Sequence, residues 1–435
     1  MSSTDSFAHY PDSRPSSVFE RFGYGREDIL SRLERNWYEM FEGPNKIYWE
    51  SDDGLGYVMD TGNNDVRTEG MSYAMMLAVQ YDRRNVFDRI WGWAVRHMRM
   101  DRGDNAGYFA WSVQPDGTKN SLGPASDGEE YFAMALLLAA RRWQGDYARQ
   151  ARDLLDICLH KGEPGQSETT PDGKPNPKFR GRTMWDPDNH QIRFVPDVDW
   201  TDPSYHLPHF YEQFERFTAT YSETDRLFWH EAAKASRSHL ANAVNAQTGL
   251  NPEYADFDGT PHVVDWGEHT WFYSDAYRTA GNIGLDVLWG AASGDVADGG
   301  SAADGDATIG GGASLELCNR VAALQRFLLT HDRTSVYAVD GTPFDEITLH
   351  PVGLIAATAE GSIAAEHADP DRFPDAKRNA RAWVDLLWNT PIRIGRRRYY
   401  DNFLYAFAFL ALAGEYRFEW DDRADSNTNN DCKEN

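Results

Sequence analysis

Cysteine is scarce in this chain: Cys158, Cys318 and Cys432 are the only three in 435 residues. None has metal-ligand spacing, and three make a poor disulfide framework. A disulfide-stapled scaffold and a cysteine zinc site are thereby excluded, and a reducing, cytoplasmic compartment is expected. Long apolar runs are missing too. No stretch approaches the roughly 18 apolar residues of a membrane span, and the opening segment MSSTDSFAHYPDSRPSS has no apolar signal core. Positive charge is the third deficit: 43 Lys and Arg face 68 Asp and Glu, a formal net charge of −25. That balance excludes a nucleic-acid backbone or an anionic membrane as the partner. Short basic strings such as Arg396-Arg397-Arg398 read as solvated helix ends. There is no Gly-rich nucleotide loop, no GxSxG elbow and no convincing metal cluster, so neither a cofactor nor a metal is expected.

Aromatic residues are abundant, with 15 Trp, 21 Tyr and 22 Phe. Many lie beside carboxylates, glycines and histidines rather than inside core-like runs: Tyr108-Phe109-Ala110-Trp111, 194–200 and 266–275. Aromatic faces stack on sugar rings, and carboxylates cut glycosidic bonds. The plain alternative is that a large protein buries many aromatics. Neutral oligosaccharides are indifferent to net charge and stay allowed.

Helical patterning dominates. Ala, Leu and Met content and 3.6-residue spacing predict helices over 26–41, 69–80, 86–100, 127–143, 147–159, 203–219, 224–243, 270–288, 313–329, 374–387 and 402–416, with a shorter one over 352–359. Several are apolar all round, which requires burial on more than one side. A dozen helices without a linker predict one closed toroid, an inner ring wrapped by an outer one, spanning a single domain over 1–435. Residues 1–23 read as an extension, 161–178 as an exposed loop, 290–312 as a Gly/Ala/Asp-rich insertion and 421–435 as a polar tail.

Four carboxylate segments stand out. Glu69 opens a helix in DVRTEGMSYAMM, where a carboxylate suits the helix N-terminus; burial would also raise its pKa and suit it to general acid work. Asp127 and Glu130 have capping-box spacing. Asp275 precedes Arg278 by three positions, as an ordinary helix ion pair does, but follows the aromatic run Trp271-Phe272-Tyr273. Asp202-Pro203 is a helix start with its cap and N1 proline in place. His206, His209 and Glu212 then recur at helical spacing, which suits packing or hydrogen bonding better than a zinc site.

Taken together, NNDVRTEGMSYAMM, YFAW at 108–111, SDGEEYFAMALL, DPSYHLPHFYE and WFYSDAYRTAGNIGLD resemble glycoside hydrolase family 8 over residues 24–418. Within it LHPVGLIA at 349–356 is similar to the reducing-end xylose-releasing exo-oligoxylanases. The resemblance implies an all-α (α/α)6 barrel that inverts the anomeric configuration. It implies Glu69 as general acid, Asp275 as base, Asp127 in the subsite before the cleaved bond, and Tyr205 holding the nucleophilic water. Arg67 and Arg278 would organise the acids, and Leu349, His350 and Pro351 would wall the cleft one sugar beyond the cut, with His350 reading the β anomer. Trp111 and Trp271 would be sugar platforms. The implied ligands are xylooligosaccharides of three or more units, met by a monomer. An endo-acting xylanase, chitosanase or β-glucanase of the same family, a silent sugar-binding barrel and a helical scaffold are the alternatives.

Overall fold

The computed structural model describes residues 16–292 and 313–418. Six helices form a closed ring. Thr68–Gln80 packs on Ser126–Arg142, followed round the ring by Pro208–Thr218, Arg278–Ala292, Pro351–Glu360 and Arg398–Leu412, and the last returns to the first. Their burial explains their composition. Every residue of Thr68–Gln80 except Glu69 is buried, as are the runs 126–139 and 399–412. A helix apolar on all faces needs protein on all sides, and the ring supplies neighbours on both flanks and an outer helix behind.

The outer helices carry one apolar stripe each. In Arg84–Trp93 only Phe87, Ile90 and Trp93 are buried, and in Ala376–Asn389 the buried set is Ala376, Ala380, Trp383, Val384 and Leu387. Each large side chain so buried contributes about 1.5–3 kcal/mol. These two helices back Thr68–Gln80 and Pro351–Glu360. Tyr147–His160, Glu223–Ala243, Leu315–Thr330 and Arg26–Trp37 back the remaining four. The result is the (α/α)6 barrel expected from the sequence. Among the described residues no helix is long and apolar enough to cross a membrane.

Several expected helices begin or end differently. The 270–288 segment is not one helix: Trp271–Phe272 is a strand paired with Tyr337 and Ala338 of Ser335–Ala338, which in turn pairs with Pro343–Ile347. A 3-10 turn, Ser274–Tyr277, follows, and the α-helix starts at Arg278. The 203–219 segment is split as well, into the 3-10 turn Pro203–Tyr205 and the helix Pro208–Thr218. Pro208 pushes the preceding Leu207 out of the helical region, to φ −120°, ψ 68°. The 26–41 and 86–100 helices finish in π turns, Tyr38–Glu42 and Ala94–Met98. Part of the expected extension belongs to the barrel: Val18 and Phe19 are buried, and the Phe19 ring stacks on Phe409 at 5.2 Å. Residues 290–292 finish the Arg278–Ala292 helix, whereas 293–312 and the 421–435 tail lie outside the described residues.

Candidate active site

The closed ring brings the N-terminal ends of its inner helices to one mouth, and the predicted site residues sit at those ends. Glu69 is the second residue of Thr68–Gln80, Asp127 the second of Ser126–Arg142, and Tyr205 and Asp275 lie on the turns that precede Pro208–Thr218 and Arg278–Ala292. Two glycines allow the close approach. A Cβ on Gly128 would stand 2.5 Å from Thr68 Cβ, and one on Gly70 would stand 2.3 Å from the Tyr399 hydroxyl. Without side chains there, the helices carrying Glu69 and Asp127 pack at their tips, and Tyr399 leans over Glu69.

Arg278 is the hub. Its Nη1 donates to Glu69 Oε2 at 3.3 Å, Asp127 Oδ2 at 3.3 Å and the Tyr73 hydroxyl at 2.8 Å. Its Nη2 lies 3.6 Å from both Asp202 Oδ2 and Asp275 Oδ1. The ion pair expected between Asp275 and Arg278 is therefore one of four. Tyr205 is buried, with its ring 5.5 Å from the Arg278 guanidinium and stacked on Phe194. Nη1 and Nη2 belong to one planar guanidinium only about 2.3 Å across. The contacts therefore bound the nearest Glu69–Asp275 oxygen separation at about 9 Å, below the ceiling of the roughly 6.5–9.5 Å spacing of inverting glycosidases.

One guanidinium cannot neutralise four carboxylates, so protons stay on some of them. Burial pushes Glu69 up to about 8, with Arg278 pulling down and Asp275 and Asp127 pushing further up. Burial raises Asp127 and Asp202 as well. This direction favours the protonated form of Glu69 near neutrality. Asp275 is more open, with 34% of its side chain exposed.

The remaining predicted residues fall into three sets. Leu349 and His350 line, with Glu69, Asp275, Arg67 and Tyr400, a cavity of about 180 Å³, and Pro351 starts the helix behind them. Arg67 does not bond Glu69 directly. It pairs with Asp65 at 3.1 Å and Asp60 at 3.3 Å and lies over the Trp111 ring at 5.2 Å. Trp111 and Trp271 stand beside this cavity rather than in its lining. A larger, more open concavity of about 1250 Å³, lined by Val95, Arg99, Asp104 and Leu122 among others, contains none of these acids. Convergence of titratable groups, rather than size, locates the chemistry.

Two local readings change in whole or in part, and the packing reading of the histidines holds. Asp127 and Glu130 form no capping box: Asp127 Oδ1 accepts the Gly128 N–H at 2.9 Å, and Glu130 accepts the Tyr211 hydroxyl at 3.1 Å. His206, His209 and Glu212 do not converge. His206 bonds Thr201 and Ser236, His209 packs on Trp289, and Glu212 pairs with Arg237. Among the described residues no group of three or more His, Cys, Asp or Glu is placed to hold a metal ion. The 396–398 string is a helix start that is only partly solvated: Arg396 is exposed although it donates to Gly62 O, whereas Arg398 donates to Asn45 O and Arg397 lines the cavity.

A carboxyl raised by burial and a second, half-buried carboxylate facing one cavity suit acetal hydrolysis. The sequence profile of glycosyl hydrolases family 8 matches residues 44–299, more than half of the chain. The chain belongs to glycosyl hydrolase family 8. Similar relatives include the reducing end xylose-releasing exo-oligoxylanase of Bifidobacterium adolescentis, 57% identical over 93% of this chain and 97% of its own. That of Halalkalibacterium halodurans is 49% identical over 92% and 93%. Among solved structures, a reducing-end-xylose releasing exo-oligoxylanase complexed with xylose is 47% identical, covers 94% of this chain and 98% of its own, and has a TM-score of 0.78. The family 8 match spans Glu69, Asp127, Tyr205 and Asp275, and ends before Leu349-His350-Pro351.

Asp202 was read from the sequence only as a helix cap, and Tyr73 and Glu253 were not singled out. Asp202 is fully buried and caps the Pro203–Tyr205 turn. Glu253 accepts from the Asp275 N–H at 3.3 Å, Trp271 Nε1 at 3.1 Å and His269 Nδ1 at 2.9 Å, so one carboxylate orients both Asp275 and Trp271. The Asp-Pro cap was the only local sign of the first; the others carry none.

Proposed function

We propose that this family 8 enzyme hydrolyses the bond joining the reducing-end xylose to β-1,4-xylooligosaccharides of three or more units, releasing xylose with inversion. Glu69 protonates the leaving oxygen, and Asp275 takes a proton from a water that Tyr205 helps to hold. Asp127 faces the sugar before the cleaved bond, where its charge favours the positive anomeric carbon. Arg278 keeps these carboxylates in register, and Arg67 holds the rim on which Trp111 stands. Trp111 and Trp271 serve as stacking faces. Leu349, His350 and Pro351 close the groove after one sugar, and His350 bonds the β-anomeric hydroxyl. Xylobiose is a poor substrate, because it forgoes binding energy on the non-reducing side.

The observation that carries this reading is the pairing of Glu69 and Asp275 on one guanidinium above a cavity that Leu349 and His350 bound. All these groups come from one chain, so a monomer suffices. The buried free thiols of Cys158 and Cys318 fit a cytoplasmic setting, in which short imported sugars are met. Product analysis on reducing-end-labelled xylotetraose tests the assignment. Labelled xylose alone at early times supports it; labelled xylobiose or mixed oligomers at early times favour an endo-acting member, and binding without turnover favours a silent barrel.

A further inference from the structure

His350 lines the cavity, and its Nδ1 lies 2.8 Å from Oδ2 of Asp401, a fully buried residue outside the lining. Asp401 is the fourth residue of the Arg398–Leu412 helix. Its Oδ1 accepts the Gly353 N–H at 2.7 Å, and Arg393 Nη1 donates to Oδ2 while also donating to Leu349 O at 2.8 Å. Arg393 is itself pinned by a two-way bond with Asn402, at 2.9 and 3.0 Å. The His350 ring edge rests on Tyr400, 4.8 Å between centroids, and the Tyr400 hydroxyl donates to Ser274 O next to Asp275. The wall and the base are thus tied to one helix end.

We infer that Asp401 is a positioning residue for reducing-end specificity, fixing His350 as the Nδ1–H tautomer so that Nε2 meets the sugar as a bare acceptor. This rests on the exo reading given above. The argument is one of donor and acceptor count. Every other partner of Asp401 is a donor, so the carboxylate acts only as an acceptor and Nδ1 must supply the proton. Arg393 donates to the same oxygen, so the contact with Nδ1 needs one N–H and no second cation. A neutral ring with a protonated Nδ1 has a lone pair at Nε2. Only a hydroxyl that donates can satisfy it, and the hemiacetal hydroxyl of a free reducing end is the most acidic hydroxyl of the sugar. A terminus lacking that hydroxyl, or presenting it on the other face, leaves Nε2 unpaired. The other occupant of the wall, Leu349, is held by the same Arg393 through its carbonyl, so tautomer and wall position are set together.

Two measurements test this. In the unaltered protein labelled with ¹⁵N-histidine, the His350 signals, assigned by their loss in His350→Gln, should show a protonated Nδ1 and a bare Nε2 at pH 7, with Nε2 shifting on addition of xylose. An Nε2–H tautomer overturns the inference. In Asp401→Asn the amide NH₂ can face Nδ1 and reverse the tautomer. The preference for β- over α-xylotriose, followed by proton NMR, should then fall at least tenfold through KM, with kcat kept within about threefold. A folded Asp401→Asn with unchanged anomer preference also overturns it. If the unaltered enzyme releases no xylose, the exo reading fails and this inference with it; xylose release with a reversed tautomer removes the inference alone.

Discussion

Replacing Asp127 by Asn should move the alkaline limb of the pH–activity profile towards lower pH. Glu69 serves as an acid only while it keeps its proton, and burial, with Asp275 and Asp127 adding to it, lifts its pKa to about 8. The kcat/KM of the unaltered enzyme should therefore fall as pH rises through about 8. Glu69 and Asp127 each lie 3.3 Å from Nη1 of Arg278, which puts their charged oxygens within about 6–7 Å of each other. At an effective dielectric constant of about 20, unit charges about 6 Å apart interact by about 3 kcal/mol, or about 2 pKa units. Asp127 is itself raised by burial and shares Arg278, so it carries less than a full unpaired charge and its effect is reduced accordingly. Asn keeps the side chain's size and removes its charge. The limb should fall by about 0.5–2 units, measured as kcat/KM on xylotriose from pH 5 to 10 at constant ionic strength. Turnover should also drop, since the role proposed for Asp127 is at the sugar, but the position of the limb does not depend on its height. A limb that stays in place, or moves up, refutes the electrostatic coupling.

Glu69→Gln should lower kcat on xylotriose by at least about 10³-fold while leaving the fold intact, as circular dichroism would show. The same change should stabilise the protein above neutrality. A folded-state pKa raised from 4.5 to about 8 means that the carboxyl favours folding fully below 4.5 and loses that contribution as pH rises through 8. The penalty at pH 7 is on the order of 3 kcal/mol, reduced because 18% of the side chain is open to the cleft; a Tm gap over the unaltered enzyme that does not widen from pH 5 to pH 8 contradicts it. Gly128→Ala should cost about 1–3 kcal/mol and lower kcat as well, since the new methyl meets Thr68 and separates the helix tips bearing Glu69 and Asp127; a stable, fully active variant counts against the close approach. Glu253→Gln should weaken xylooligosaccharide binding and alter Trp fluorescence, because Trp271 Nε1 loses its carboxylate; an unchanged KM and emission removes that role.

Much of the barrel was legible because most of its inner helices are rich in Ala, Leu and Met, Pro208–Thr218 excepted, and its outer ones carry a narrow stripe, and both patterns are local. The misreadings share the opposite property. Trp271–Phe272 was read as helix because nothing nearby shows that its partners are Tyr337 and Ala338. Asp127 and Glu130 have capping spacing, yet the helix starts at Ser126 and both acids turn inward to Arg278 and Tyr211. Arg396-Arg397-Arg398, of which Arg396 is exposed, looked wholly solvated because Gly62, Asn45 and Lys46, whose carbonyls receive two of the three, are over 300 residues away. The acids of the site were legible as a set of motifs, and their roles came with the family resemblance. What no motif displays is that Arg278 joins four of them, or that Glu253 and Asp401 orient Asp275, Trp271 and His350. Those relations exist only once the ring closes.

The central claim is that Glu69 donates a proton on one face of the bond while Asp275 activates water on the other. Proton NMR of xylotriose during the first turnovers, ahead of mutarotation, tests it most directly. The account predicts that the new reducing end on xylobiose appears as the α anomer, with xylose as the only other product. Xylobiose appearing first as the β anomer would contradict it.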